Sequence, residues 1–257
     1  MFQVDEIIAK LQAYQDKAHV LMVLGSGWNS VVEGMKVEKQ FDFARVFGEG
    51  AGVLGHKGAL LLGKLNNRSV WIMAGRFHTY EGYSSEEVTR PLQALAKLGI
   101  KMVVLTSAVG GLNKNYQVGD IIVLKDILTL FCQSPLTGSN FQDLSQAFDK
   151  NLQDIACNVC QKFNIAYHRG VYTYYKGPNF ESFADKIALE KLGADAAGMS
   201  TVPETIMANH LGIKVLGLSC VTNLAFVKHN HQEVLANAQA QSEKMRKLLE
   251  GIIKEIK

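Results

Sequence analysis

The chain alternates between two hydrophobic rhythms. Short apolar runs, His19–Leu24 (HVLMVL), Ser69–Ala74 (SVWIMA), Met102–Thr106 (MVVLT), Asp120–Leu130, Gly170–Tyr175 and Ile213–Thr222, mostly stop at glycine or at polar residues. Brief runs of this kind, rich in β-formers, predict buried strands. Between them, apolar positions recur every three or four residues. Val4, Ile7, Ile8 and Leu11 predict an amphipathic helix over residues 4–17. Further helices are predicted over 85–98, 148–163, 181–192 and 202–211, with a long closing helix to Lys257. A short helix from Trp28 to Gly34, extended segments at Val37–Val46 and Ala59–Leu65, and a short strand near Ala196 complete the pattern. Residues 131–146 carry Pro, Gly, Ser and Asn with little periodicity and read as a long surface loop.

Strands and helices alternate from end to end with no Pro- or Ser-rich linker. This predicts a single α/β domain over residues 1–257, with a mixed or largely parallel central sheet flanked by helices. A hydrophobic fraction of 47% over 257 residues supplies a sizeable core. The net charge of +3, without Lys/Arg clusters interleaved with aromatics, speaks against a nucleic-acid partner but leaves small anions open. Cys157 and Cys160 form a C-x-x-C inside a helical pattern, with no second pair and no His-x-x-x-His. Buried thiols are therefore expected, and no metal. The amino terminus has the wrong charge order for a signal peptide, and no apolar run approaches a membrane span. A reduced, cytoplasmic protein is expected.

Candidate chemistry gathers where predicted strands end, the place where α/β sheets bind ligands. After Ala74 comes Gly75-Arg76-Phe77-His78-Thr79-Tyr80-Glu81-Gly82-Tyr83. Arg76 offers a planar donor fork and His78 a group that titrates near neutrality, although a solvated polar loop would read the same way. Gly25-Ser26-Gly27 lacks the third glycine of a dinucleotide fingerprint, since Ser30 stands there, and no Walker lysine follows. The turn could seat a single phosphate or be structural. Ala108-Val109-Gly110-Gly111 reads as a second glycine turn whose backbone could approach a ligand. In Gly198-Met199-Ser200-Thr201-Val202-Pro203-Glu204, capping-box spacing starts a helix at Thr201 and sets Ser200 beside its amino terminus. Phe180-Glu181 opens another helix, where a glutamate complements the helix dipole or meets a ligand. Asn223 ends a strand with an amide that both donates and accepts. His231 sits at the start of the last helix.

Together, G-S-G, G-R-F-H-x-Y-E-G-Y, A-x-G-G, G-P-x-F-E, G-M-S-T-V-P-E, T-N and N-H-x-E-V-L resemble, in order and spacing, the trimeric purine nucleoside phosphorylases, from about His19 to Ala240. The resemblance implies the nucleoside phosphorylase fold and reversible phosphorolysis of 6-oxopurine (deoxy)ribonucleosides to free base and (deoxy)ribose 1-phosphate. It implies phosphate binding by Ser26, Arg76, His78, the Ala108 backbone N–H and Ser200. Purine binding falls to Phe180, Glu181 and Asn223, and ribose contacts to Tyr80, Met199 and His231. Asn223, His78 and Glu181 would carry the catalytic roles. It further implies a homotrimer acting on a purine nucleoside and inorganic phosphate, with no metal or organic cofactor. His56 and Phe141 are weaker carry-overs, Phe141 as an aromatic lent to a neighbouring subunit. Departures from the family pattern stand at Leu54, Ser107, Leu224 and Ala225. A methylthioadenosine phosphorylase-like enzyme and a non-catalytic nucleoside binder of the same fold remain as alternatives. An NAD-linked enzyme is disfavoured by the broken glycine pattern.

Overall fold

A computed structural model describes residues 1–50, 58–228 and 230–256. His56 and Leu54 fall outside the described residues. Nine strands form one mixed sheet among them: β1 (Val20–Val23), β2 (Lys36–Asp42), β3 (Ala59–Leu65), β4 (Arg68–Ala74), β5 (Met102–Gly111), β6 (Ile121–Leu128), β7 (Tyr167–Tyr174), β8 (Ala196–Gly198) and β9 (Lys214–Leu224). The order is β2-β3-β4-β1-β5-β8-β7-β6-β9, and β9 returns to pair with β5, so the last five strands close a circuit. Helices α1 (Val4–Leu11), α2 (Phe43–Phe47), α3 (Ser85–Lys97), α4 (Lys150–Lys162), α5 (Phe183–Lys191), α6 (Val202–His210), α7 (His231–Ala240) and α8 (Ser242–Glu255) surround it.

The unbroken apolar runs are explained by burial on both faces. In β1, Leu21 and Val23 join a core with Ile7 of α1, Phe43 of α2 and Leu92 of α3, while Val20 and Met22 face Leu152 of α4 and Leu248 of α8. In β4, Trp71 and Met73 enter the first core and Val70, Ile72 and Ala74 the second. Side chains alternate between faces with period two, so a strand between two helix layers must be apolar at every position.

Four expectations need correction. The first helix ends at Leu11 and passes into a 3₁₀ turn at Gln12–Tyr14. Tyr14 there packs edge-on against Phe41 and Trp71, with ring centroids 5.3 and 6.3 Å away, so tertiary contacts override the helical continuation. The extended segment ends at Asp42. Phe43, Val46 and Phe47 share a buried helical face in α2, with the i, i+3, i+4 spacing that an extended reading overlooks. Gly110 and Gly111 are strand residues, paired with Ala197 and Ala196 of β8 and with Asn223 and Leu224 of β9. The closing helix is two helices that meet at Gln241. The loop at 131–146 and the buried C-x-x-C on α4 agree with expectation, the Cys160 thiol being pushed up to about 12 by burial.

Candidate active site

Three features of the sheet open a cleft. The ladder of β1 with β5 stops at Val23–Leu105, and that of β8 with β5 begins at Gly110, so one edge of β5 from Thr106 to Val109 carries no strand among the described residues. β8 runs antiparallel to β5, which turns its carboxyl end, and Ser200 beyond it, back towards Ala108. In β9 the pairing slips by one residue: Val221 opposes Val109, Asn223 opposes Gly110, and Thr222 is the extra residue of a bulge. A bulge re-aims the side chain that follows it, here Asn223. The resulting cleft encloses about 720 Å³ of empty space, open solvent at its mouth included.

Eleven of the residues singled out from the sequence line this one cleft: Ser26, Arg76, His78, Tyr80, Ala108, Phe180, Glu181, Met199, Ser200, Asn223 and His231. They come from the ends of β1, β4, β7, β8 and β9, the middle of β5 and the first turn of α7. Phe141 lies elsewhere, 92% exposed on the long loop, where it lines a separate hollow with Cys132, Leu136 and Ile206 of α6. Ser107 also lines the cleft, and its hydroxyl is hydrogen-bonded to that of Ser219 at 2.7 Å. Leu224 and Ala225, the other departures, are not on the wall.

Close packing builds the floor. A Cβ on Gly25 would stand 2.7 Å from Thr106 O and 2.9 Å from Ser107 Cα, so only glycine permits β1 to turn there. The Thr106 hydroxyl fixes that turn, accepting from Gly25 N at 3.0 Å and donating to Val23 O at 3.1 Å. Trp28 Nε1 donates to Ser107 O at 3.0 Å and ties the following 3₁₀ segment to β5.

Arg76 is 1% exposed. One terminal nitrogen donates to Ser200 Oγ at 2.9 Å and the other to Val23 O at 3.3 Å, while Nε lies 3.4 Å from Glu204 Oε1. Ser200 is gripped a second time, by Tyr172, whose hydroxyl accepts from Ser200 N and donates to Ser200 O, both at 3.1 Å. Next to it, Thr201 has φ +69° and ψ −46°, and Val202 N donates to Ser200 O at 2.7 Å. This is a γ-turn of the rare, strained hand, in a β-branched residue that avoids positive φ. Strain of this kind persists only where surrounding contacts over-determine the backbone. Tyr172 and Glu204 supply those contacts; the Glu204 carboxylate accepts from Thr201 N at 3.1 Å.

His78 is buried against Glu81, whose carboxylate accepts from both His78 N and His78 Nδ1 at 2.9 Å. A carboxylate only accepts, so Nδ1 carries the proton and Nε2 is the acceptor of the neutral ring. Burial holds the imidazole below its usual value, against the opposing pull of Glu81. Tyr80 stacks on the ring at 4.6 Å and 16°. Glu81, Tyr172 and Thr106 had no role in the sequence reading. Glu81 was within reach, three residues after His78, but nothing in the sequence brings Tyr172 near Ser200.

At the helix starts, the cap of α5 is built by Ser182 and Asp185, and α7 is capped by Asn230, which accepts from Glu233 N at 3.0 Å. Glu181 and His231 therefore face the cleft from beside the caps. Chemically, the cleft offers a guanidinium, hydroxyls, backbone and an imidazole to an anion, with a carboxylate, an amide and a flat ring on the same wall. No group of three or more His, Cys, Asp or Glu placed to hold a metal occurs among the described residues. None of the described helices is long and apolar enough to cross a membrane.

Residues 30–254 match the family model described as the phosphorylase superfamily. The chain is 40% identical over 212 residues to purine nucleoside phosphorylase 1 of Bacillus subtilis (strain 168), covering 78% of each chain. With the purine nucleoside phosphorylase of Mus musculus the identity is 37% over a 266-residue alignment, covering 96% of this chain and 92% of that one. A crystal structure of schistosoma purine nucleoside phosphorylase in complex with hypoxanthine superposes with a TM-score of 0.91 at 32% identity, over 99% of this chain and 97% of the other.

Proposed function

Since the chain belongs to the phosphorylase superfamily, among the purine nucleoside phosphorylases, we propose that it takes 6-oxopurine nucleosides and inorganic phosphate, giving free base and (deoxy)ribose 1-phosphate reversibly. The observation that carries this reading is the meeting of Arg76, His78 and Ser200 with Glu181 and Asn223 in one cleft.

Breaking the glycosidic bond leaves cationic character on the sugar and negative charge on the departing base. In the proposed reaction, phosphate is held by Ser26, Arg76, Ser200 and the Ala108 N–H, and its remaining P–OH donates to His78 Nε2. It stabilises that cation by charge and then captures it at the anomeric carbon. Arg76 contributes a charge-assisted contact in a fixed orientation, because Ser200, Val23 and Glu204 already tether its guanidinium. The Asn223 amide donates to ring nitrogen 7 as negative charge builds on the base. Glu181 accepts from the ring N–H of hypoxanthine or guanine, and Phe180 lies along the purine face. Tyr80 and Met199 flank the ribose, and His231 meets its 5′-hydroxyl. Inorganic phosphate is the co-substrate, and the scheme calls for no metal or organic cofactor.

Neutral adenine has no ring N–H to give Glu181, so a carboxylate paired with an amide selects 6-oxopurines. We assign the active form to a homotrimer in which the exposed Phe141 completes the ribose pocket of a neighbouring subunit; its 92% exposure supports that role.

Initial rates with inosine, guanosine and adenosine at saturating phosphate test the assignment. The expected kcat/KM preference for inosine over adenosine is on the order of 10⁴-fold. Comparable values for the two would remove Glu181 from base selection.

A further inference from the structure

The anion clamp rests on a buried carboxylate that touches neither base, sugar nor phosphate in the scheme above. Glu204, on the first turn of α6, sends its two oxygens to different partners. Oε1 lies 3.4 Å from Arg76 Nε, and Oε2 accepts from Thr201 N at 3.1 Å. Helix capping accounts for the second contact but not the first. Arg76 Nε is buried and makes no hydrogen bond among the described residues, so the charge of Glu204 is what offsets burial of that edge of the guanidinium. Arg76 in turn donates to Ser200 Oγ, and Ser200 precedes the strained Thr201. The contacts close a ring: Glu204 to Arg76, Arg76 to Ser200, and Thr201 back to Glu204.

We infer that Glu204 is a positioning residue for phosphate capture. Its carboxylate fixes Arg76 by the Nε edge and Ser200 through the Thr201 turn, so both donors meet the anion in one geometry. The inference rests on the reading of Arg76 and Ser200 as phosphate ligands. It makes a prediction against simple Coulomb reasoning. A carboxylate near a bound dianion repels it, so charge alone would have phosphate bind better once Glu204 is neutralised. Positioning predicts the opposite, because a charge-assisted clamp on phosphate works only when its donors are aligned.

Glu204→Gln in the full chain separates the two, since glutamine is isosteric and still accepts from Thr201 N. Rates are measured with phosphate varied at saturating inosine, and with inosine varied at saturating phosphate. The KM for phosphate should rise about tenfold or more while that for inosine stays within about twofold, a split that general loosening of the fold would not give. An unchanged or lower KM for phosphate would overturn the inference. Hypoxanthine release by the unmodified protein without phosphate would instead overturn the phosphorylase reading, so the two failures are distinguishable. Should Glu204→Gln not fold, crystals of the unmodified protein soaked in inorganic phosphate decide. Glu204 is expected to stay on Arg76 Nε with phosphate on the terminal nitrogens; phosphate on Nε, with the carboxylate displaced, would sink the idea.

Discussion

Glu181→Ala separates recognition of the base from folding of the chain. The strand end before it and the helix cap after it are held by other side chains. β7 ends at Tyr174, and the Ser182 hydroxyl that caps α5 accepts from Asp185 N at 3.2 Å, while Asp185 Oδ2 accepts from Ser182 N at 2.9 Å. The helix-start role open to a glutamate at this point in the sequence is thus filled by its neighbours. Glu181 is half-buried on the cleft wall, so its truncation opens no core cavity, and unfolding free energy should change by no more than about 0.5 kcal/mol. A hydrogen bond from a substrate N–H to a carboxylate contributes about 1.5–3 kcal/mol. At about 1.4 kcal/mol per factor of ten, kcat/KM for inosine and guanosine should fall about 10- to 150-fold. Adenosine has no ring proton to lose contact with and should not fall, and it gains where an unpaired Glu181 had been excluding it, so the preference narrows by at least that factor. Steady-state kinetics at saturating phosphate, beside urea melts, measure both. Intact stability with unchanged inosine kinetics, or an equal loss for adenosine, would refute the reasoning.

Three other perturbations probe the clamp and its surroundings. Arg76→Ala strands Glu204 as an unpaired buried charge, so unfolding free energy in urea should drop by about 3–5 kcal/mol, with a steep rise in the KM for phosphate. For His78, burial holds the folded ring below the ordinary value of about 6.5, so on acidification the unfolded chain takes up the proton first. Stability is therefore full above about pH 6.5 and declines as pH falls towards the depressed folded value; His78→Gln should flatten that decline in urea melts at stepped pH. Gly110→Ala places a Cβ 3.1 Å from Asn223 Nδ2 and should displace the amide by a few tenths of an ångström. Turnover should fall about 3- to 10-fold with little change in Tm, and a full loss of stability would contradict the placement.

Strand existence was legible because burial on both faces leaves an unmistakable signal: VLMV in β1 and VWIMA in β4 admit no polar position. The amphipathic face of α3 was equally plain. Misreadings arose where local pattern and tertiary context disagree. Gly110 and Gly111 look like a turn, yet they extend β5 because β8 and β9 flank them, and because any larger residue at 110 would crowd Asn223. The α2 turn at Phe43–Phe47 is too short for its period to stand out from the strand before it. The cleft residues could be named because strand ends and glycine turns mark them. What supports them could not: the bulge at Thr222, the γ-turn at Thr201, and the grip of Tyr172 on Ser200 are products of register and of contacts across long sequence separations.

The central claim is that the cleft seats an inorganic oxyanion against the sugar of a bound nucleoside. Phosphorus NMR of the protein with inosine and phosphate, with hypoxanthine quantified in parallel by chromatography, tests it most directly. Hypoxanthine and a new phosphate monoester signal from ribose 1-phosphate should appear in equal amounts, and both should vanish when phosphate is omitted. Hypoxanthine released at the same rate without phosphate, leaving free ribose, would contradict it.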